Sequence, residues 1–178
     1  MARMAWGEVE VKIRLWEGES APGTAGGGAA DVPHTLTFKR TWTSGNSDSS
    51  QIDRVWSTNA GAAASPGTDL DLVSTSSLPS KLDSGDNVQF SGGVVLVAVS
   101  HDDATGDNGD IRLGGSSNPW TGMVADASDV ISVAPGGFFL WIAPDGSPPT
   151  AGTADILRVL HNGVGTVAAQ MLIAGRSA

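Results

Sequence analysis

The stretch Ile111 to Leu160 constrains this chain most. It reads IRLGGSSNPWTGMVADASDVISVAPGGFFLWIAPDGSPPTAGTADILRVL. Short apolar runs alternate with turn residues: Gly114-Gly115, Asn118-Pro119, Pro135-Gly136-Gly137, Asp145-Gly146 and Pro148-Pro149. Glycine supplies positive φ, proline presets the first turn position, and Asn and Asp bond their own backbone. No apolar run here reaches helix length, and no sustained helical periodicity occurs anywhere in the chain. The whole sequence reads as about ten short strands with turn signals roughly every 8–12 residues, the pattern of an all-β sandwich or barrel. The expected fold is an antiparallel β-sandwich, jelly-roll-like. No fixed repeat points to a propeller or β-helix.

Glu8 to Trp16 alternates cleanly, with Val9, Val11, Ile13 and Leu15 on one face and Glu8, Glu10, Lys12 and Arg14 on the other, a half-buried strand by period. Gly18 to Asp31 is rich in Gly and Ala and reads as a linker or long loop. Residues 1–33 are therefore expected as an N-terminal strand or arm with a Gly-rich linker, pairing away from its sequence neighbour, and residues 34–178 as the sandwich domain. His34 to Thr43 alternates again, with Leu36, Phe38 and Trp42 on one face, interrupted by Arg40. Gln51 to Thr58, Asp69 to Val73 and Asn87 to Phe90 are further expected strands, and Leu78 to Leu82 a single helical turn with Pro79 at its start. Val94 to His101 and Phe138 to Ala143 are apolar on both faces, which predicts strands covered on both sides. Ile156 to His161 and Val167 to Ala174, joined by Asn162-Gly163, close the fold.

Length and charge narrow the class. The 178 residues suit one domain, or one domain with an arm. No cysteine is present, so disulfides and thiolate metal sites are excluded. The charged first residues carry no apolar signal-peptide core, and no run approaches a membrane helix, so neither a secretory nor a membrane route is expected. A net charge of −9 argues against nucleic acid as a direct partner, because a phosphate binder needs a basic field.

Few residue clusters point to chemistry. The loop His101 to Asp110 offers Asp102, Asp103, Asp107 and Asp110, oxygen donors of the kind calcium takes, although the spacing is not that of an EF-hand. The same residues suit a solvated hairpin loop better. His34, His101 and His161 lack helical metal-pair spacing and read as strand-end or loop residues. No G-x-S-x-G elbow occurs. Gly114-Gly115-Ser116-Ser117 is followed by no lysine, unlike a phosphate loop. Of the six tryptophans, Trp42 and Trp56 are expected in the core; Trp16, Trp120 and Trp141, with Phe139, are expected at subunit contacts, where aromatic residues are enriched.

From Leu78 onward the chain resembles a group of small bacteriophage virion proteins. The shared pattern is carried here by Leu113-Gly114-Gly115, Asn118-Pro119-Trp120, Val133-Ala134-Pro135-Gly136-Gly137-Phe138-Phe139-Leu140, Ala143-Pro144-Asp145-Gly146, Thr150 to Leu157, and Ile173-Ala174-Gly175. The resemblance implies a β-sandwich subunit of a virion and brings no catalytic residues. The expected function is that of a non-enzymatic structural protein, a capsid decoration or auxiliary head protein forming a homo-oligomer such as a trimer. Its partners would be itself and other virion proteins, the major capsid protein among them. The alternatives are a tail or fibre component that binds a carbohydrate or receptor, and a hydrolase whose acids meet only in the fold.

Overall fold

The computed structural model describes residues 5–17, 32–58, 62–63, 67–74, 78, 88–102, 109–163 and 166–177. The described residues contain thirteen strands and no helix. The chain forms two units, one spanning Gly7–Trp42 and the other Met1–Trp6 with Thr43–Ala178.

The first unit is a long hairpin of β1 (Gly7–Glu17) and β2 (Val32–Ser44), antiparallel in unbroken register from Gly7↔Trp42 to Glu17↔Val32. The arm was expected to pair away from its sequence neighbour. It pairs with the very next strand instead, because both strands alternate with period two and their apolar sets fall on one face. Val11 stands opposite Phe38 and Ile13 opposite Leu36; Glu10 stands opposite Lys39 on the other face. Opposed residues in an antiparallel pair share a face, so the match reinforces itself at these positions, while Val9 meets Arg40 and Leu15 meets His34.

The second unit holds two four-stranded sheets. One has the order β10-β7-β13-β4, from Phe138–Ser147, Gly93–His101, Ala169–Arg176 and Arg54–Thr58. The other has the order β6-β11-β8-β9, from Thr68–Asp71, Ile156–His161, Ile111–Gly114 and Val130–Val133. All pairings within the two sheets are antiparallel. Short pairs complete the unit: β3 (Gln51–Ile52) runs parallel to the last two residues of β2, and β5 (Ala62–Ala63) pairs with β12 (Thr166–Val167).

One buried cluster draws side chains from both sheets: Trp56, Val97, Val99 and Ile173 from the first, and Leu70, Ile111, Leu157 and Val159 from the second. The packing is therefore sandwich-like. The two-faced burial expected of Val94 to His101 holds over Val94 to Val97, in a strand that lies between β10 and β13; beyond them Ala98 and Ser100 are only half-buried. The same expectation fails for Phe138 to Ala143. β10 is an edge strand, and Phe138 at its start is 64% exposed. The run expected over Gln51 to Thr58 is split at Asp53 into β3 and β4. Val88 to Phe90 forms no strand; its backbone bonds instead to Leu78 and Leu72. The helical turn expected at Leu78 to Leu82 lies, except for Leu78, outside the described residues.

The turns carry the chain between the two sheets. Pro135-Gly136-Gly137 leads from β9 in one sheet to β10 in the other. Gly136 has φ +71°, and the Gly137 N–H donates to the Ala134 carbonyl at 2.8 Å. Asn162-Gly163 likewise leads out of β11 and does not close a tight hairpin with β13, which lies in the opposite sheet.

Candidate interaction surfaces

The acidic loop is only partly described. Asp103 and Asp107 lie outside the described residues. Asp102 is exposed and accepts a hydrogen bond from the Ser100 hydroxyl at 2.6 Å. The Asp110 backbone N–H donates to Asn162 Oδ1 at 2.7 Å, which ties the end of the loop to the turn after β11. Among the described residues, no group of three or more His, Cys, Asp or Glu side chains is placed to hold a metal ion.

The histidines separate into two environments. His34 is exposed on β2 opposite Leu15. His101 and His161, at the ends of β7 and β11, are buried. His101 Nε2 lies 3.0 Å from the Gly109 carbonyl, which can only accept, so Nε2 carries the proton. His161 Nδ1 accepts from the Gly163 N–H at 3.0 Å. Both rings therefore anchor the loops that leave their strands.

The aromatic residues expected at subunit contacts take different places. Trp120 is a correction: it is 2% exposed, in the core of its own chain. Its indole N–H needs an internal acceptor and finds the Ser147 carbonyl at 3.2 Å. Trp141 meets it edge to face, with ring centroids 5.1 Å apart and planes at 83°. Trp141 and Phe139 are half-buried against the core. The backbone of Trp16 lies in β1, and its side chain is outside the described residues. Trp42 and Trp56 are buried, as expected of core residues.

Among the described residues, four of the nine large exposed apolar side chains lie on the hairpin. Leu15 is 63% and Leu36 62% exposed, and Ile13 and Phe38 are exposed beside them on the same face. A two-stranded hairpin is marginal in water without something to cover its apolar face. The opposite face is charged. Lys39 Nζ lies 3.0 Å from Glu8 Oε2, and its pKa is raised by the hydrogen bond and charge of Glu8, with Glu10 adding to the effect. On the outer face of the first sheet, Leu140, Ala98 and Leu172 stand in one row across β10, β7 and β13, with Phe138 exposed near its end. The sequence marked these strands as amphipathic but not which faces remain open, because that depends on partners distant in the chain.

Comparison with family models, with curated proteins and with solved structures finds no match to this chain.

Proposed function

We propose that this chain is a non-enzymatic structural protein of a bacteriophage virion, a capsid decoration or auxiliary head protein that assembles as a homo-oligomer around a jelly-roll core. The strand order carries the reading. Numbered in chain order, the eight main strands are β4, β6, β7, β8, β9, β10, β11 and β13. The first pairs with the eighth, the second with the seventh, the third with the sixth and the fourth with the fifth. The ribbon of four nested antiparallel pairs then closes into two sheets through the third with the eighth and the fourth with the seventh. A jelly roll is wound from eight strands in two sheets, and capsid and lectin domains are built on it.

A fold does not fix a function, so the surface has to supply the rest. The hairpin presents Ile13, Leu15, Leu36 and Phe38 as apolar area for contact with other chains. Burying such area contributes about 25 cal/mol per Å² before the costs of association. The resemblance to small virion proteins over the sandwich supports the same reading, and the acidic net charge of −9 fits protein rather than nucleic-acid partners.

A tail or fibre role in carbohydrate or receptor binding is the second reading. It is favoured by Trp6, 70% exposed, since exposed Trp is a common sugar platform. Glycan-array binding that disappears in Trp6→Ala would select it over decoration.

The test of the first reading is mass spectrometry of phage particles purified by density banding from cells that carry the gene. The chain is expected in the particle band at many copies. Its confinement to the soluble fraction, with none in the band, would contradict the reading.

A further inference from the structure

We infer that β1 is a self-complementary edge, which pairs antiparallel with β1 of a second copy of this chain about a twofold axis at Val11. β1 is the terminal strand of its sheet, and β2 occupies only one of its sides. Among the described residues, no strand pairs with the other side, so its backbone groups there are available to a partner strand. Glu8, Glu10, Lys12, Ile13 and Leu15 are exposed along it.

The sequence along this edge is antisymmetric in charge about Val11. Glu8-Val9-Glu10-Val11-Lys12-Ile13-Arg14 reads acid, apolar, acid, apolar, base, apolar, base. Laid antiparallel on itself about Val11, residue 10 of one copy stands opposite residue 12 of the other, and residue 8 opposite residue 14. Every acid then meets a base. On the apolar face Val9 meets Ile13, and Val11 meets Val11. Sliding the register by two residues in one direction sets Glu10 against Glu10, and in the other direction Lys12 against Lys12. A slip by one residue sets charged positions against apolar ones. Parallel in-register pairing stacks like charges throughout. Opposite charges across a strand pair stabilise and like charges destabilise, so one register is selected.

Within its own hairpin, β1 meets a base only at its acidic end. Glu10 faces Lys39, whereas Lys12 faces Thr37 and residue 14 faces Thr35. The second copy sets acids opposite the basic end, where β2 sets threonines. The contact is isologous, so each interaction occurs twice. Its product is one continuous sheet with β2-β1 followed by β1-β2 of the second copy at its centre, which gives each β1 a strand on both sides along the part of the hairpin that β3 does not reach. The pairing deepens the self-association in the reading above and needs nothing of its virion part.

The full-length chain is tested by mass photometry and by cross-linking. Wild type is expected to dimerise, or to form an even-numbered assembly of such dimers. Lys12→Glu alone, and Glu10→Lys alone, are each expected to weaken dimerisation about tenfold or more, because each sets like charges opposite. Mixing the two variants restores opposite charges at both positions, and a heterodimer should return. The absence of native cysteine gives a second readout that barely perturbs the fold. Val11→Cys lies on the axis, where paired Cα atoms are roughly 4.5–5.5 Å apart, within disulfide reach, and should link two chains under mild oxidation. Val9→Cys, about 13 Å from its own copy along the strands, should not.

A monomeric wild type at micromolar concentration, an odd-numbered oligomer, indifference to Lys12→Glu, or equal cross-linking at positions 9 and 11 would each overturn the pairing. Presence of the chain in banded particles is decided independently, so an assembly held by another surface would remove this contact and leave the virion reading standing.

Discussion

Arg176 shows how single side chains hold the two-sheet unit together. It is buried near the end of β13, its Nη1 donates to the Asp48 carbonyl at 2.8 Å, and its Nη2 donates to the Asp145 carbonyl. One guanidinium thereby ties the closing strand to the turn before β3 and to the bulged half of β10. Beside it, the Ser177 N–H and hydroxyl both donate to the Asp53 carboxylate, at 2.7 and 2.5 Å. Hydrogen bonds to a charged group contribute about 1.5–3 kcal/mol each. Arg176→Met keeps the aliphatic stem but strands the two carbonyls, and is expected to lower stability by about 2–3 kcal/mol in urea unfolding. Arg176→Lys should recover only part of this, because a single ammonium cannot span both acceptors. A midpoint unchanged in Arg176→Met would show that the guanidinium is not what fastens the closing strand.

Asp69 and Arg158 form the other residue-level clasp, joining β6 to β11. The guanidinium takes the carboxylate with two bonds, Nε to Oδ1 at 2.6 Å and Nη2 to Oδ2 at 2.9 Å, and also reaches the Gly115 carbonyl at 3.1 Å. The Arg158 hydrogen bond holds the Asp69 carboxyl below its ordinary value, and burial opposes this only in part. A carboxyl lowered on folding stabilises the fold fully above its unfolded pKa, and the contribution fades as pH falls through the lowered folded value. The pair is largely exposed, which limits it to about 0.5 kcal/mol. Asp69→Asn should therefore cost about that much at neutral pH and nothing once the solution is well below pH 4, where wild type has lost the clasp too. Equal differences at both pH values in thermal unfolding would rule out the ion pair as the source.

At the scale of elements, the turn between β9 and β10 decides which sheet the chain enters. Gly136 sits at φ +71° in open space, and its N–H donates to the His101 carbonyl at 3.1 Å, while the His101 N–H donates to the Gly137 carbonyl at 3.0 Å. The turn is thus docked on the end of β7 before β10 pairs along that strand. Gly136→Val meets no steric neighbour but must hold a left-handed backbone, and is expected to cost about 1–2 kcal/mol by chemical denaturation. A neutral effect would mean that the turn can relax without moving β10.

What could be read from the sequence divides along the same line. The period of β1 and β2 was legible because alternation is local, and so was the two-faced burial of the first half of β7. The position of β10 was not. Phe138 to Ala143 has the same apolar pattern as Val94 to Val99, yet one strand is an edge and the other is central. A strand's neighbours are set by segments far away, as with Val55 on β4 opposite Ala174 on β13. Trp120 shows the same limit. Its burial depends on an acceptor at Ser147 that no local pattern announces. The antisymmetric charge pattern of β1 was visible in the sequence, but its meaning required knowing that β2 leaves one side open.

At the scale of the whole molecule, the chain combines a wound eight-strand unit and a hairpin unit. The wound unit buries its apolar faces internally. The hairpin keeps its apolar face and one strand edge exposed, which is the expected division between a scaffold and an assembly element. Cryo-electron microscopy of banded phage particles examines that division directly. Decoration predicts repeated density on the particle surface into which the eight-strand unit fits, with neighbouring subunits related by twofold axes through paired β1 strands. Particles whose every symmetry-related density is filled by other chains would contradict it.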